Sequence, residues 1–141
     1  MIQYLDTSLL VAFLTDETKS ADVDAWLKMQ DQSAMAISGL VITEFSAALS
    51  IKIRTRQIEE SERAGFSSRF ARMTTHTLSV LPVSDAHFKI AAQFAAHHEL
   101  ALRAGDALHL AIADSQGATV CTLDKRLAAA GPQLGVSTQL I

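Results

Sequence analysis

The chain has 141 residues, 49% apolar and 19% charged, with a formal net charge of −3, one cysteine and two prolines. That length buries about two-thirds of the unfolded surface on folding, so one core and one domain over residues 1–141 are expected, without disulfides or disorder. The lone Cys121 excludes a disulfide framework and a multi-cysteine zinc site, and no uncharged stretch approaches a membrane span.

Ile2 to Leu5 reads as a short strand ending in Asp6-Thr7-Ser8. Leu9, Leu10, Phe13 and Leu14 then have helical spacing, with Ser8 as the expected N-cap. Asp22 to Met29 reads as a second helix, and Ala34 to Ile37 as a strand closed by Ser38-Gly39. Long helices follow from Leu40 to Arg54 and from Ile58 to Met73. Thr77 to Val83 is the clearest strand, and Ser84 or Asp85 caps the helix after it. Ala104 to Gln116 is an apolar helix stopped by Gly117, and Ala118 to Leu123 is a strand. Asp124 opens a short helix ending at Gly131-Pro132, before a last edge strand at Val136 to Thr138. Short strands separated by helices predict an α/β fold, with a central, mostly parallel sheet of four to five strands flanked by helices. Asp6, and no basic residue, precedes the apolar run at Leu9, which argues against a signal peptide and for a cytoplasmic protein.

Charge is unevenly spread. Residues 1–50 sum to −5, residues 51–72 to +3 and the rest to −1. The middle segment carries Lys52, Arg54, Arg56, Arg63, Arg69 and Arg72. Such a segment is either a solvated helix face or, since arginine forks around phosphate, a surface for a polyanion.

No phosphate-binding glycine loop, no G-x-S-x-G elbow and no H-E-x-x-H pair is present. Four acids stand out instead. Asp6 follows the first strand, where open α/β sheets place ligands, although capping the next helix is its plain alternative. Glu44 lies off the polar face of its helix, near positions expected to face inward (Val41, Ala48 and Ile51), so it is either paired at an edge or turned to a site. Asp106 opens an apolar helix, where it stabilises the N-terminus, faces a site, or does both. Asp124 follows another strand, as an N-cap or as a second acid at the same sheet edge. Gathered carboxylates repel one another unless a divalent cation compensates, and all-oxygen ligation suits Mg²⁺ or Mn²⁺.

These residues, in this order, resemble the PIN-domain family, and within it the VapC-type toxins of type II toxin–antitoxin systems. The stretches that carry the resemblance are Tyr4-Leu5-Asp6-Thr7-Ser8, Ile42-Thr43-Glu44-Phe45, Leu102 to Ala111 around Asp106, and Thr122-Leu123-Asp124-Lys125-Arg126-Leu127. The resemblance implies that Asp6, Glu44, Asp106 and Asp124 form an acidic catalytic site holding one or two Mg²⁺ or Mn²⁺ ions. Thr7, Ser8 and Thr122 fall where the family places small hydroxyl residues beside the metal. His109 matches a residue of the third motif and is assigned a structural role. The resemblance further implies an endoribonuclease acting on tRNA or ribosomal RNA, a homodimer, and a cognate VapB-like antitoxin whose tail lies near the acids. Arg54, Arg56, Arg63, Arg69 and Arg72 are then candidate RNA contacts.

Two of three other readings need different residues. A receiver-like domain wants an adjacent acid pair after its first strand, where Thr7 and Ser8 follow Asp6. A haloacid-dehalogenase-type phosphatase wants Asp-x-Asp, but position 8 is serine. A catalytically inactive RNA-binding or scaffold module would use the acids only to bind Mg²⁺ and partners.

Overall fold

The first apolar run folds as β1 (Gln3–Leu5) and enters α1 (Thr7–Leu14) across the single residue Asp6. The structure, a computed structural model, describes all 141 residues. After α1 come α2 (Ser20–Lys28), β2 (Met35–Ser38), α3 (Gly39–Arg54), α4 (Arg63–His76) and β3 (Ser79–Leu81). The second half contributes α5 (Asp85–Ala95), α6 (Ala104–Ser115), β4 (Thr119–Thr122), α7 (Lys125–Gln133) and β5 (Thr138–Leu140). The five strands form one sheet in the order β3-β2-β1-β4-β5, and every neighbouring pair is parallel. The expected α/β fold is present.

Parallel strands send all their carboxyl ends to one edge. From β1 the chain winds outward through β2 to β3, then returns to pair β4 on the other flank of β1. Strand order therefore reverses between β1 and β4, which is where open α/β sheets leave a ligand crevice beyond their carboxyl ends. In register, Gln3, Tyr4 and Leu5 of β1 face Thr119, Val120 and Cys121 of β4. α1 packs against α2, α3 and α4, α5 against α6, and α7 against β4 and β5. The core lies between these helices and the sheet, with Tyr4, Leu5, Leu9, Leu10, Ile37, Leu110 and Ile112 fully buried. No helix is long and apolar enough to cross a membrane.

Several boundaries differ from the sequence expectation, each for a local reason. Asp6, not Ser8, is the N-cap of α1, because its carboxylate accepts the Leu9 N–H while Ser8 is already helical. α4 begins at Arg63 rather than Ile58, because a 3-10 turn at Glu60–Glu62 comes first and Glu62 accepts the Glu59 N–H. β3 is shorter than Thr77 to Val83, because the Thr77 and Leu78 N–H groups bond back to Met73 O and Pro82 has none to give. β5 starts at Thr138 because the Val136 N–H closes on Gly131 O. Ile51, expected inward, is 49% exposed.

α7 runs through Pro132 to Gln133 instead of stopping at Gly131-Pro132. Proline has no N–H for the carbonyl four residues back. The Thr138 hydroxyl fills that gap, donating to Ala128 O at 2.6 Å. Gly131 lets Thr138 come so close, since a Cβ there would lie 2.2 Å from Thr138 Cγ2 and 3.0 Å from Val136 O. Gly131→Ala is therefore expected to destabilise the fold by about 1–3 kcal/mol through overpacking. A urea titration should show a lower midpoint at unchanged slope.

Candidate functional site

Asp6 is 5% exposed at the carboxyl end of β1, on the β1/β4 switch point. A buried carboxylate requires donors, and hydroxyls supply them. Ser8 Oγ donates to Oδ1 at 2.6 Å and Thr122 Oγ1 to Oδ2 at 2.6 Å, with the Leu9 N–H at 3.4 Å from Oδ1. Thr122 Oγ1 in turn accepts the Asp124 N–H at 2.9 Å, and Ser8 Oγ accepts the Leu123 N–H at 3.1 Å. The ends of β1 and β4 are thereby stitched together. Asp124 is the N-cap of α7, its Oδ1 accepting from Arg126 N at 2.8 Å and Leu127 N at 3.3 Å.

Glu44 sits in the second turn of α3 with its side chain 36% exposed. Its Oε1 accepts from Thr7 Oγ1 at 2.7 Å and faces His109 Nε2 at 2.5 Å. Thr7 and Ser8 are consecutive, so one dipeptide touches both acids. Asp106 is in the first turn of α6, its Oδ2 accepting the Arg103 N–H at 3.1 Å. Neighbouring Gly105 has no Cβ to obstruct Glu44, and a Cβ there would lie 2.9 Å from Glu44 Oε2. His109, one helical turn beyond Asp106, is buried and bonds Tyr4 Oη at 2.7 Å through Nδ1.

Thr122 thus bridges Asp6 to Asp124, Thr7 next to Asp6 contacts Glu44, and Gly105 brings the start of α6, which carries Asp106, against Glu44. No three Asp, Glu, His or Cys side chains converge into a ready metal cage. Each carboxylate takes its own donors, which relieves mutual repulsion. One oxygen each of Glu44, Asp106 and Asp124 accepts no hydrogen bond from the chain. Asp6 has no lysine, arginine or histidine in ion-pair contact. An all-carboxylate donor set with free oxygens and an uncompensated buried charge fits a hard divalent cation such as Mg²⁺ or Mn²⁺.

Two acids are shifted in opposite directions. Burial pushes the Asp6 carboxyl up, only partly offset by hydrogen bonds from the Ser8 and Thr122 hydroxyls and the Leu9 N–H. Burial also raises Glu44, but there the hydrogen bonds from His109 and Thr7 outweigh it and hold the group below its ordinary range. Burial, reinforced by the Asp6 charge, pushes the Cys121 thiol up to about 12, so it is neither a nucleophile nor a ready ligand at neutral pH.

The five arginines do not share a surface. Arg63 is tied to α3, donating to Ser50 Oγ, Ser46 O and Ser46 Oγ. Arg69 donates to Leu14 O at 3.2 Å. Arg69 and Arg72 line a cavity of about 570 Å³ together with Phe13, Leu27 and Met35. Met35 begins β2, so that cavity lies toward the amino ends of the strands, away from the acids. Arg54 and Arg56 are exposed at the end of α3, with Arg56 at φ 60°. Lys52 of the same segment is buried and paired with Glu17 at 2.8 Å. Sequence reasoning missed Tyr4 and Ser38, which bond each other at 2.8 Å behind His109. The available signals were the two-residue spacing of Tyr4 and Asp6 on a strand and the three-residue spacing of Asp106 and His109 on a helix.

A family model described as PIN domain matches residues 3–131. The chain belongs to the PIN domain family. Among solved structures, this PIN domain is similar to the Mycobacterium tuberculosis VapC20, a sarcin–ricin loop cleaving toxin, at 18% identity and a TM-score of 0.73, covering 92% of this chain and 95% of that one. It is also similar to FitAcB from Neisseria gonorrhoeae (15% identity, TM-score 0.67, 97% and 96% covered). A third likeness is to VapBC2 from Rickettsia felis, bound to a DNA fragment of its promoter (16% identity, TM-score 0.66, 99% and 98% covered). No curated protein matches it by sequence.

A carboxyl whose pKa is higher folded than unfolded binds its proton more tightly in the folded state, so stability falls as pH rises from the ordinary value through the raised one. Wild-type PIN domain in EDTA should lose thermal stability over that window relative to Asp6→Asn, which cannot ionise. The melting-temperature gap should grow by about 2–4 °C for each kcal/mol involved and narrow when Mn²⁺ is added. Parallel melting curves for the two chains across the window would show that the Asp6 charge carries no cost.

Proposed function

We propose that residues 1–141 form a metal-dependent endoribonuclease domain that acts as the toxin of a toxin–antitoxin pair. The observation that carries this reading is the buried, uncompensated Asp6 carboxylate at the switch point, with Asp124 stitched to it through Thr122 and Glu44 through the adjacent Thr7. Membership of the PIN family supports nuclease chemistry. The likeness to VapC20 supports an RNA substrate, tRNA or ribosomal RNA, and the likeness to FitAcB and VapBC2 supports a VapB-like antitoxin partner. Homodimer formation and a cytoplasmic location belong to the same proposal.

Asp6, Glu44, Asp106 and Asp124 are the residues that would hold one or two Mg²⁺ or Mn²⁺ ions. When bound, the metal supplies a more acidic water and neutralises charge on the phosphodiester. The chain's own residues do the rest. Thr7 orients Glu44, Ser8 and Thr122 orient Asp6, and the α6 N-terminus fixes Asp106. Glu44, held ionised, is the acid suited to accept a hydrogen bond from an attacking water. Arg54 and Arg56, which have no ion-pair partners, are the better-placed of the five arginines for RNA phosphate, because Arg63 and Arg69 are occupied within the chain.

The purified chain should cut tRNA or ribosomal RNA in Mg²⁺ or Mn²⁺ and stop in EDTA. Asp6→Asn and Asp106→Asn should each lower the rate at least about a hundredfold, since a lost metal ligand removes several kcal/mol of transition-state stabilisation. Undiminished cleavage by the double variant would sink the assignment, and RNA binding without metal-dependent cleavage would favour the inactive module.

A further inference from the structure

Tyr4, Ser38 and His109 are all buried, and none has a part in the reading above beyond the single contact of His109 with Glu44. They form one line of hydrogen bonds from the end of β2 to α3. Ser38 Oγ lies 2.8 Å from Tyr4 Oη, which lies 2.7 Å from His109 Nδ1, and His109 Nε2 meets Glu44 Oε1. The Glu44 carboxylate only accepts, so Nε2 must carry a hydrogen. In the neutral ring Nδ1 is then the acceptor, Tyr4 Oη–H donates to it, and Ser38 Oγ–H donates to Tyr4. Ser38 stands at the N-cap of α3 but makes no capping hydrogen bond, so its hydroxyl is diverted to this line. Burial, reinforced by the charges of Asp6 and Glu44, raises the Tyr4 phenol well above its ordinary value despite the Ser38 hydrogen bond, which keeps it a donor.

We propose that His109 is a positioning residue, aiming the Glu44 carboxylate at the metal, and that Tyr4 and Ser38 fix the His109 ring and tautomer. The inference rests on the metal-site reading but assigns residues that reading leaves unused. Partners of this kind set ligand orientation, and their loss weakens metal affinity by about 10–100-fold.

Two amide variants divide the two ring contacts. Gln places its amide nitrogen near His Nε2 and keeps the donor to Glu44, whereas Asn reaches only the Nδ1 position and keeps the Tyr4 contact. Mn²⁺ titration of the full chain followed by electron paramagnetic resonance reads affinity without activity. His109→Asn is expected to bind Mn²⁺ about 10–100-fold more weakly, and His109→Gln to bind like wild type. Tyr4→Phe leaves the ring in place, so it tests the inference even if His109→Asn does not fold. Its metal-free ¹⁵N spectrum should show a mixed His109 tautomer where wild type shows Nε2–H alone, with weaker Mn²⁺ binding. Wild-type affinity in a folded His109→Asn, or in Tyr4→Phe where His109→Asn does not fold, would overturn the inference alone. Absence of Mn²⁺ binding by wild type would overturn the metal-site reading and this inference with it.

Discussion

A carboxylate buried at the carboxyl end of β1, with no cation in ion-pair contact, is the constraint around which this edge of the sheet is arranged. Such a charge is costly in a dry interior, and hydroxyls that bond it recover only part of the loss. The local structure follows from that cost. Thr122 ends β4 with its hydroxyl on Asp6, Ser8 in the first turn of α1 has its hydroxyl on the other oxygen, and the Asp124 and Leu123 N–H groups close back onto those two side chains. The strand ends, two helix starts and two acids become one hydrogen-bonded unit.

The same cost explains why a second acid, bonded to the neighbouring Thr7, behaves differently. Glu44 is only half buried and has His109 as well as Thr7 beside it, so its charge is favoured where that of Asp6 is opposed. Two carboxyls joined through the Asp6-Thr7 step are therefore driven apart in acidity by surroundings alone, the pattern that often separates roles at a reactive site. The expense falls on stability: a buried acid, a forgone cap at Ser38 (about 0.5–2 kcal/mol where such a cap is made), and a buried tyrosine committed to polar partners. Local rules broken together at one place mark a site.

The basic segment teaches a different lesson. Its charge sum of +3 is a property of residues 51–72 as a string. Folding disperses it: Lys52 is buried against Glu17, Arg63 braces α3, Arg69 holds the end of α1, and Arg72 lines a cavity away from the acids. Linear charge density therefore overstates the field that a phosphate backbone would meet, because side chains that satisfy protein carbonyls and hydroxyls are already spent. Asp6, Asp106 and Asp124 instead sit at a helix start or strand end with a backbone N–H on the carboxylate, and Glu44, in the second turn of α3, is held by Thr7 and His109.

The sequence by itself determined the α/β class, the approximate place of every helix and strand, and the family, since period, punctuation and motif order are local properties of the string. It also marked Asp6, Glu44, Asp106 and Asp124. It misplaced the cap of α1, because Asp6 and Ser8 both suit an N-cap and only the geometry at the end of β1 chooses. It overextended β3, because the Met73 carbonyl that takes the Thr77 and Leu78 N–H groups belongs to the preceding helix. Strand order was decided by tertiary structure alone, and with it the switch point that puts Asp6 beside Thr122. So was the line from Ser38 through Tyr4 and His109 to Glu44, which joins residues up to 105 positions apart. Hydrogen bonds across such separations leave no periodic trace in a sequence, and only the packed chain brings their atoms within reach.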